Sequence, residues 1–138
     1  GIGRGQLESI EERIKAKKEI RRSYEKGLKG LPISFMPIFE KGEPNYWLTV
    51  AIIDEQSHIL PNDIIIALEK ENVEARPVWK PMHMQPVFRD YMFFSHASSL
   101  NIAKKLFDRG ICLPSGSAME KCGQKNVINI VKCMFKCC

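Results

Sequence analysis

The sequence predicts a single α+β domain of 138 residues, in which a small sheet is layered with helices. Residues 1–29 carry apolar side chains at spacings of three and four, which indicates a long amphipathic helix. Asn45–Ile53 is rich in aromatic and β-branched residues, which favours a buried strand. Later segments alternate between these patterns, in the order helix, strand, strand, helix, strand, helix, strand, helix. This order fits a small α+β domain better than a doubly wound fold.

The opening helix is basic but has the charge pattern of a solvated surface. Residues 1–29 hold nine Lys and Arg against five Glu, and so carry most of the net charge of +5. A basic helix could contact nucleic acid or an acidic membrane, but its glutamates lie one turn from basic partners. Gly27 and Gly30 are expected to end the helix before Pro32. Its apolar stripe consists of Leu7, Ile10, Ile14, Lys17, Ile20, Tyr24 and Leu28.

The remaining elements follow from the same patterns. Short strands are predicted at Ile33–Phe35, Asn72–Val78 and Ile111–Leu113, and helices at Leu60–Glu71 and Gln124–Phe135. The last helix should face the core with Val127, Ile130, Val131 and Met134.

Capping residues indicate where two of the helices begin. Asn62 or Asp63 can cap the helix at 60–71. Ser98 and Ser99 can cap another helix, with Gly110 as its stop. That helix would run through Leu100, Ala103, Leu106 and Phe107.

Composition excludes several classes of protein. No run of about 18 apolar residues occurs, so we expect no membrane span. An odd number of cysteines, five, without a secretory signal predicts reduced thiols and a cytoplasmic protein. The spacing of Cys133, Cys137 and Cys138 matches no standard zinc pattern, and the three histidines are far apart, so we expect no metal site. Gly1 opens directly into a helix pattern, which suggests a piece of a longer protein.

The segment Glu74–Phe88 is the strongest candidate for a binding site. Its prolines, Pro77, Pro81 and Pro86, predict a stiff, non-helical ribbon, because proline restricts itself and the residue before it. Cationic, aromatic and hydrogen-bonding side chains along that ribbon suit an anionic, ring-bearing ligand. The alternative is a surface crossover whose aromatic residues simply pack on the core.

Two motifs carry a resemblance to a known family. RPVWKPMHMQPVF at 76–88 and LFDRGICLPSGSAM at 106–119 resemble the C-terminal region of the DegT/DnrJ/StrS pyridoxal-phosphate-dependent sugar aminotransferases. The opening helix resembles the one that joins the large cofactor domain of these enzymes to the small domain. The proline segment is most similar to that of enzymes acting on UDP-linked 4-keto-6-deoxy amino sugars.

The resemblance implies a fold, a division of the chain and a reaction. The chain would be the small C-terminal domain of a type I aminotransferase fold, with a small, mostly antiparallel sheet and helices on one side. Residues 1–30 would be the interdomain helix and 31–138 the small domain, with the large domain absent from this chain. The intact homodimer would transfer an amino group from glutamate to a nucleotide-linked 4-keto sugar. Its Schiff-base lysine would lie upstream, so this chain should be inactive and should not bind pyridoxal phosphate by itself.

Five residues of the proline segment are the predicted substrate site. We expect Arg76, Lys80 and His83 to face the sugar nucleotide, and Trp79 and Met82 to shape the wall. An arginine can bind a phosphate through two hydrogen bonds, a lysine offers a point charge, and a histidine can donate to a sugar hydroxyl. The alternative hypothesis is a basic α+β binding module for an anionic partner such as nucleic acid.

Overall fold

The computed structural model describes residues 1–96 and 101–136, and it has the predicted order of elements. The helices are α1 (Ile2–Glu8), α2 (Ile10–Gly27), α3 (Pro61–Glu69), α4 (Ile102–Arg109) and α5 (Lys121–Lys136). The strands are β1 (Ile33–Phe35), β2 (Thr49–Ile53), β3 (Arg76–Pro77) and β4 (Gly110–Leu113).

The four strands form one antiparallel sheet in the order β1-β2-β4-β3. β2 and β4 occupy the centre, and β3 is an edge strand only two residues long. The strand predicted at Asn72–Val78 is therefore too long. Pro77 has no N–H to donate, so it is tolerated at an edge, where a strand needs fewer ladder hydrogen bonds.

The core lies on one face of the sheet, beneath α2, α3 and α5. Side chains from these helices pack against alternate residues of β2 and β4, as the predicted small sheet with helices on one side requires. No residue of α4 is buried, so that helix adds nothing to this core. The fully buried side chains include Tyr24, Leu28, Ile53, Ile64, Leu68, Ile111 and Val131.

The opening helix is divided at Ser9 and only partly packed. Ser9 has φ −111° and ψ 7°, which separates α1 from α2. The predicted apolar stripe is buried at Ile20, Tyr24 and Leu28, but Leu7 is 64% exposed. The single long helix was therefore wrong in its continuity, and its packing begins only in the second half of α2.

The beginnings of two helices differ from the predicted caps. α3 begins with Pro61, and the Asp63 carboxylate reaches back to accept a hydrogen bond from the Leu60 N–H at 2.8 Å. Asp63 thus stabilises the helix start from its third position, not as the N-terminal residue. For α4 the cap is Asn101, whose side-chain oxygen accepts from the Lys104 N–H. The predicted caps Ser98 and Ser99, together with Leu100, lie outside the described residues.

The predicted last helix is present, with an earlier start. α5 begins at Lys121, three residues before the predicted start, and buries Val127 and Val131 as expected.

Cys112, Cys122 and Cys133 are free thiols. Within residues 1–96 and 101–136, no helix has the length and apolarity needed to cross a membrane. The same residues contain no group of three or more His, Cys, Asp or Glu placed to hold a metal ion.

Candidate functional site

A groove lies on the sheet face opposite the core, beside the edge strand β3. Strand pairing places Val50 opposite Cys112 and Cys112 opposite Arg76, so these three side chains share one face. Ile111 and Leu113 point to the other face, into the core. The strand register thus directs Arg76 away from the core and into the groove.

The groove has a volume of about 540 Å³, and a smaller cavity of about 220 Å³ adjoins it. The two cavities share Trp47, Leu48, Arg76 and Cys112, so they form one continuous depression. We call the larger cavity the tryptophan groove. Its lining consists of Trp47, Leu48, Arg76, Pro77, Val78, Trp79, Lys80, Phe107 and Cys112.

The proline segment is an extended ribbon for only part of its length. Pro81 and Gln85 have extended backbones, with ψ of 148° and 140°. Between and after them the chain forms two single turns of 3₁₀ helix, Met82–Met84 and Pro86–Phe88. A proline suits the start of such a turn, because its φ is fixed in the right range. The prediction of a continuous ribbon was therefore wrong at Met82–Met84 and Pro86–Phe88, whereas Gln85 is extended as predicted.

The structure brings three of the five predicted substrate residues together. Arg76, Trp79 and Lys80 line the tryptophan groove, whereas Met82 and His83 lie on the 3₁₀ turn that follows. Met82 is 60% exposed, and its sulfur lies 3.6 Å from the side-chain amide of Gln85. Substrate contact by the five residues stays a prediction.

His83 is held from two sides. Its ring stacks on Phe93, with 3.8 Å between centroids and 22° between planes. Its Nε2 lies 2.9 Å from Nδ2 of Asn101, the residue that caps α4. Because the Asn101 oxygen already accepts from the Lys104 N–H, the amide nitrogen must be the donor to His83. In this hydrogen bond Nε2 of His83 is the acceptor, which corresponds to the tautomer with the ring proton on Nδ1.

Trp47 is a groove residue that the sequence analysis missed, because it placed Trp47 inside a buried strand. In the structure Trp47 precedes β2 and is 67% exposed. Its backbone N–H donates to Oδ1 of Asn45 at 3.0 Å, and Tyr46 has a positive φ of 52°. Asparagine and a preceding proline are typical of turns, and this signal could have moved the start of the predicted strand to a position after Trp47.

Lys17, in the middle of α2, holds the backbone of Trp47. Its ammonium group donates to the Trp47 carbonyl at 3.1 Å and to the Ser115 carbonyl. Lys17 was predicted as part of the apolar stripe, and burial does lower its pKa. The lysine therefore connects the middle of α2 to two loops at the rim of the groove.

Lys17 does not fit the role of a Schiff-base lysine. Covalent attachment of a carbonyl cofactor requires a neutral, accessible amine. Two backbone carbonyls accept hydrogen bonds from the Lys17 side-chain nitrogen, so that nitrogen is held by the two loops beside the groove. Lys17 therefore contacts the loops of the groove and does not match the Schiff-base lysine that the resemblance implies.

The charged residues that line the tryptophan groove, Arg76 and Lys80, are both cationic. Arg76 pairs with Glu74 through Nε at 2.7 Å, and both side chains are more than 70% exposed. Lys80 lines the same cavity. At the floor, burial raises the pKa of the Cys112 thiol, which keeps that sulfur protonated and poorly reactive.

Together, the fold and the groove define a small α+β domain with an aromatic, cationic groove on the sheet face opposite the core. The sequence profile of the DegT/DnrJ/EryC1/StrS aminotransferase family matches residues 1–132, and the chain belongs to this family. This finding confirms the resemblance and favours the aminotransferase fragment over a free-standing basic module.

Two curated relatives agree with the family. The chain is 41% identical over 136 residues to the Bacillus subtilis (strain 168) protein named "Putative pyridoxal phosphate-dependent aminotransferase EpsN". It is 30% identical over 136 residues to a GDP-perosamine synthase of Vibrio cholerae. These matches cover 98% and 99% of this chain but only 34% and 36% of the relatives. The chain thus spans about a third of their length.

Solved structures share the fold. A Helicobacter pylori aminotransferase of pseudoaminic acid biosynthesis, PseC, superimposes with a TM-score of 0.80 at 18% identity, over 99% of this chain and 36% of PseC. DesV of S. venezuelae gives a TM-score of 0.81 at 18% identity, over 96% and 34%. This likeness confirms the predicted fold of a part of an aminotransferase.

Proposed function

We propose that this chain is the C-terminal, substrate-binding part of a pyridoxal-phosphate-dependent aminotransferase. The intact enzyme would transfer an amino group from glutamate to the keto carbon of a nucleotide-linked 4-keto sugar. A UDP-linked 4-keto-6-deoxy amino sugar is the proposed substrate. The observation that carries the proposal is the tryptophan groove, which combines indole rings with two cations. A sugar nucleotide offers matching chemistry, because it has an aromatic base and a diphosphate.

The proposal divides the work between two parts of the protein. Residues 1–30 would be the interdomain helix and 31–138 the small domain, which supplies Arg76, Trp79, Lys80, Met82 and His83 to the substrate. Pyridoxal phosphate supplies an electron sink when it is bound, and its holding residues would lie in the upstream domain. The contacts of Lys17 support this division, because its side-chain nitrogen donates to two backbone carbonyls in the loops beside the groove.

We propose that the intact enzyme is a homodimer and that it is located in the cytoplasm. The free thiols of Cys112, Cys122 and Cys133 support a reducing compartment. The dimer rests on the family resemblance, in which both subunits build each active site.

The test compares this chain with a longer protein that restores the upstream coding region. We expect the 138-residue chain to show no absorbance band of bound pyridoxal phosphate and no conversion of glutamate. The longer protein should show both, and should aminate a nucleotide-linked keto sugar. If the short chain bound the cofactor stoichiometrically and consumed glutamate, the proposed division would be wrong. If the longer protein bound cofactor but aminated no nucleotide sugar, the proposed substrate class would fail.

A further inference from the structure

The last helix, α5, carries four lysines along one side and contains no acidic residue. At 3.6 residues per turn, the four positions fall within about 60° of the helix circumference and extend over about 22 Å. Three of the side chains are exposed and the third in sequence is half-buried. We call this set the lysine row, and it consists of Lys121, Lys125, Lys132 and Lys136.

The lysine row has no acidic partner within the domain. None of its members forms an ion pair with a residue in the described ranges 1–96 and 101–136, whereas Lys18 of α2 pairs with Glu43. Two acids lie beside the row. Glu19 lines the same cavity as the first two lysines without forming an ion pair, and Glu120 accepts a hydrogen bond from the Cys122 thiol.

The lysine row also weakens its own helix. Like charges four positions apart repel each other, and the row contains two such pairs, at 121/125 and 132/136. Lys121 is the first residue of α5, where the helix dipole disfavours a positive charge. Because the row opposes helix stability and is not neutralised inside the domain, its charge is complementary to a negative surface outside it.

We propose that the lysine row docks the protein on a membrane surface that contains anionic lipids. Lysine clusters on amphipathic helices are typical of such docking, and each lysine near the surface strengthens binding about fivefold. Single-stranded nucleic acid is usually held by aromatic rings beside the cations, but the one aromatic residue of α5, Phe135, packs against the core. Protein interfaces are depleted in lysine. A straight row of lysines without rings therefore fits a charged lipid surface best.

The lysine row is separate from the tryptophan groove. α5 packs against the core face of the sheet, and the groove lies on the opposite face. Docking through α5 would therefore leave the groove open to ligands from the other side. The inference uses only the charge and position of α5, so it does not depend on the proposed function.

The test measures whether the 138-residue chain sediments with vesicles. At low ionic strength, vesicles of phosphatidylglycerol and phosphatidylcholine should carry the chain into the pellet, and vesicles of phosphatidylcholine alone should not. About 1 M NaCl should release the chain, because the Debye length then falls to about 3 Å. Binding to both kinds of vesicle, binding to neither, or binding that survives this salt would overturn the proposal.

Two variants with the same net charge locate the binding surface. Glutamine at every position of the lysine row should weaken vesicle binding about a hundredfold or more, because four contributions of about fivefold are lost. The control removes four other exposed lysines and should weaken binding much less. The row variant is Lys121→Gln, Lys125→Gln, Lys132→Gln and Lys136→Gln. The control is Lys15→Gln, Lys29→Gln, Lys41→Gln and Lys70→Gln.

Thermal unfolding of the row variant distinguishes docking from a structural role. Glutamine and lysine form helices about equally well, so removal of the like-charge pairs should leave Tm unchanged or raise it. A clearly lower Tm would show that the lysines support the fold, and would contradict the proposal. Equal weakening of vesicle binding by both variants would show a general attraction of a basic protein, and would also contradict it.

Two further measurements test the partner and the intact enzyme. If duplex DNA bound as tightly as the anionic vesicles and through the same four lysines, the choice of a lipid surface would be wrong. The longer protein with the upstream region should bind the same vesicles. If only the short chain bound them, the upstream part would cover the row and the enzyme would not dock in this way. Amino transfer is measured without vesicles, so failure of this inference leaves the proposed function standing.

Discussion

His83 is a packed side chain that we also propose as a substrate contact. Its ring stacks on Phe93, and its Nε2 accepts from the amide of Asn101, which also caps α4. The ring therefore connects the proline segment to the start of α4. Its Nδ1 carries the proton in this arrangement, so a donor remains for a second partner. A sugar hydroxyl is the partner that the predicted site would place there.

We expect His83→Ala in the intact enzyme to slow the sugar half-reaction more than the glutamate half-reaction. The loss should be about tenfold or more if one hydrogen bond to the sugar is removed, and larger if the ring transfers a proton. Single-turnover measurements of each half-reaction would separate the two. Asn101→Ala is the control, because it removes the same hydrogen bond, together with the cap of α4, without removing the ring. Equal losses in both half-reactions, or equal losses in both variants, would show that His83 is structural.

The site residues differ in how far the sequence could predict them. Arg76, Trp79 and Lys80 lie within five positions, so local chemistry alone indicated that they belong together. Trp47 joins them only because β2 pairs with β4 and β4 pairs with β3. Lys17 contacts Ser115 across 98 positions of sequence. No local pattern reports such strand pairing, so these two contributions needed the structure.

Gly110 controls how closely the proline segment approaches α4. A Cβ at this position would lie 2.3 Å from the Leu106 carbonyl oxygen and 2.5 Å from Cγ2 of Val78. Gly110 was predicted as the stop of the helix, and α4 does end before it. Its backbone is extended, with φ −93°, so the need for glycine here comes from the close approach of the Leu106 carbonyl oxygen and of Val78, and not from a left-handed turn.

Gly110→Ala should therefore destabilise the domain by about 1–3 kcal/mol, the usual cost of overpacking. Urea unfolding followed by circular dichroism would measure the free energy of unfolding. Gly123→Ala in α5 is the control, because its Cβ meets nothing within 4 Å and alanine favours a helix by about 0.5–1 kcal/mol. A Gly110→Ala protein as stable as the parent would show that both Val78 and the backbone at Leu106 can move aside freely. In that case the proline segment is not fixed against α4.

The lengths of elements were harder to predict than their existence. Prolines shortened β3 to two residues, and a turn at Asn45 shortened β2. Helix starts were also displaced, since Asp63 acts from the third position of α3. Propensity identifies the interior of an element, whereas its ends depend on individual hydrogen bonds.

At the scale of the whole molecule, the domain is packed on one side and open on two others. The core joins α2, α3 and α5 to one sheet face, and the tryptophan groove occupies the other. The second open surface is the first half of the opening helix. Ile2 is 87% and Leu7 is 64% exposed, and α1 buries no residue. Apolar positions that follow the helical repeat but meet no partner suit a surface that another domain covers.

We expect α1 to be unstable in the 138-residue chain. A helix of seven residues is too short to persist by itself, and Gly3 and Gly5 weaken it further. Hydrogen exchange followed by mass spectrometry should show rapid exchange at 2–10 and slow exchange at 20–28, where Ile20, Tyr24 and Leu28 are buried.

The same measurement on the longer protein tests the proposed division of the chain. Contact with an upstream domain would bury the exposed part of the stripe, so exchange at 2–10 should slow there. Exchange at 20–28 is the internal control, because those residues already pack in the isolated domain. Slow exchange at 2–10 in the short chain would show that α1 needs no partner. Unchanged rapid exchange in the longer protein would mean that residues 1–30 do not act as an interdomain helix.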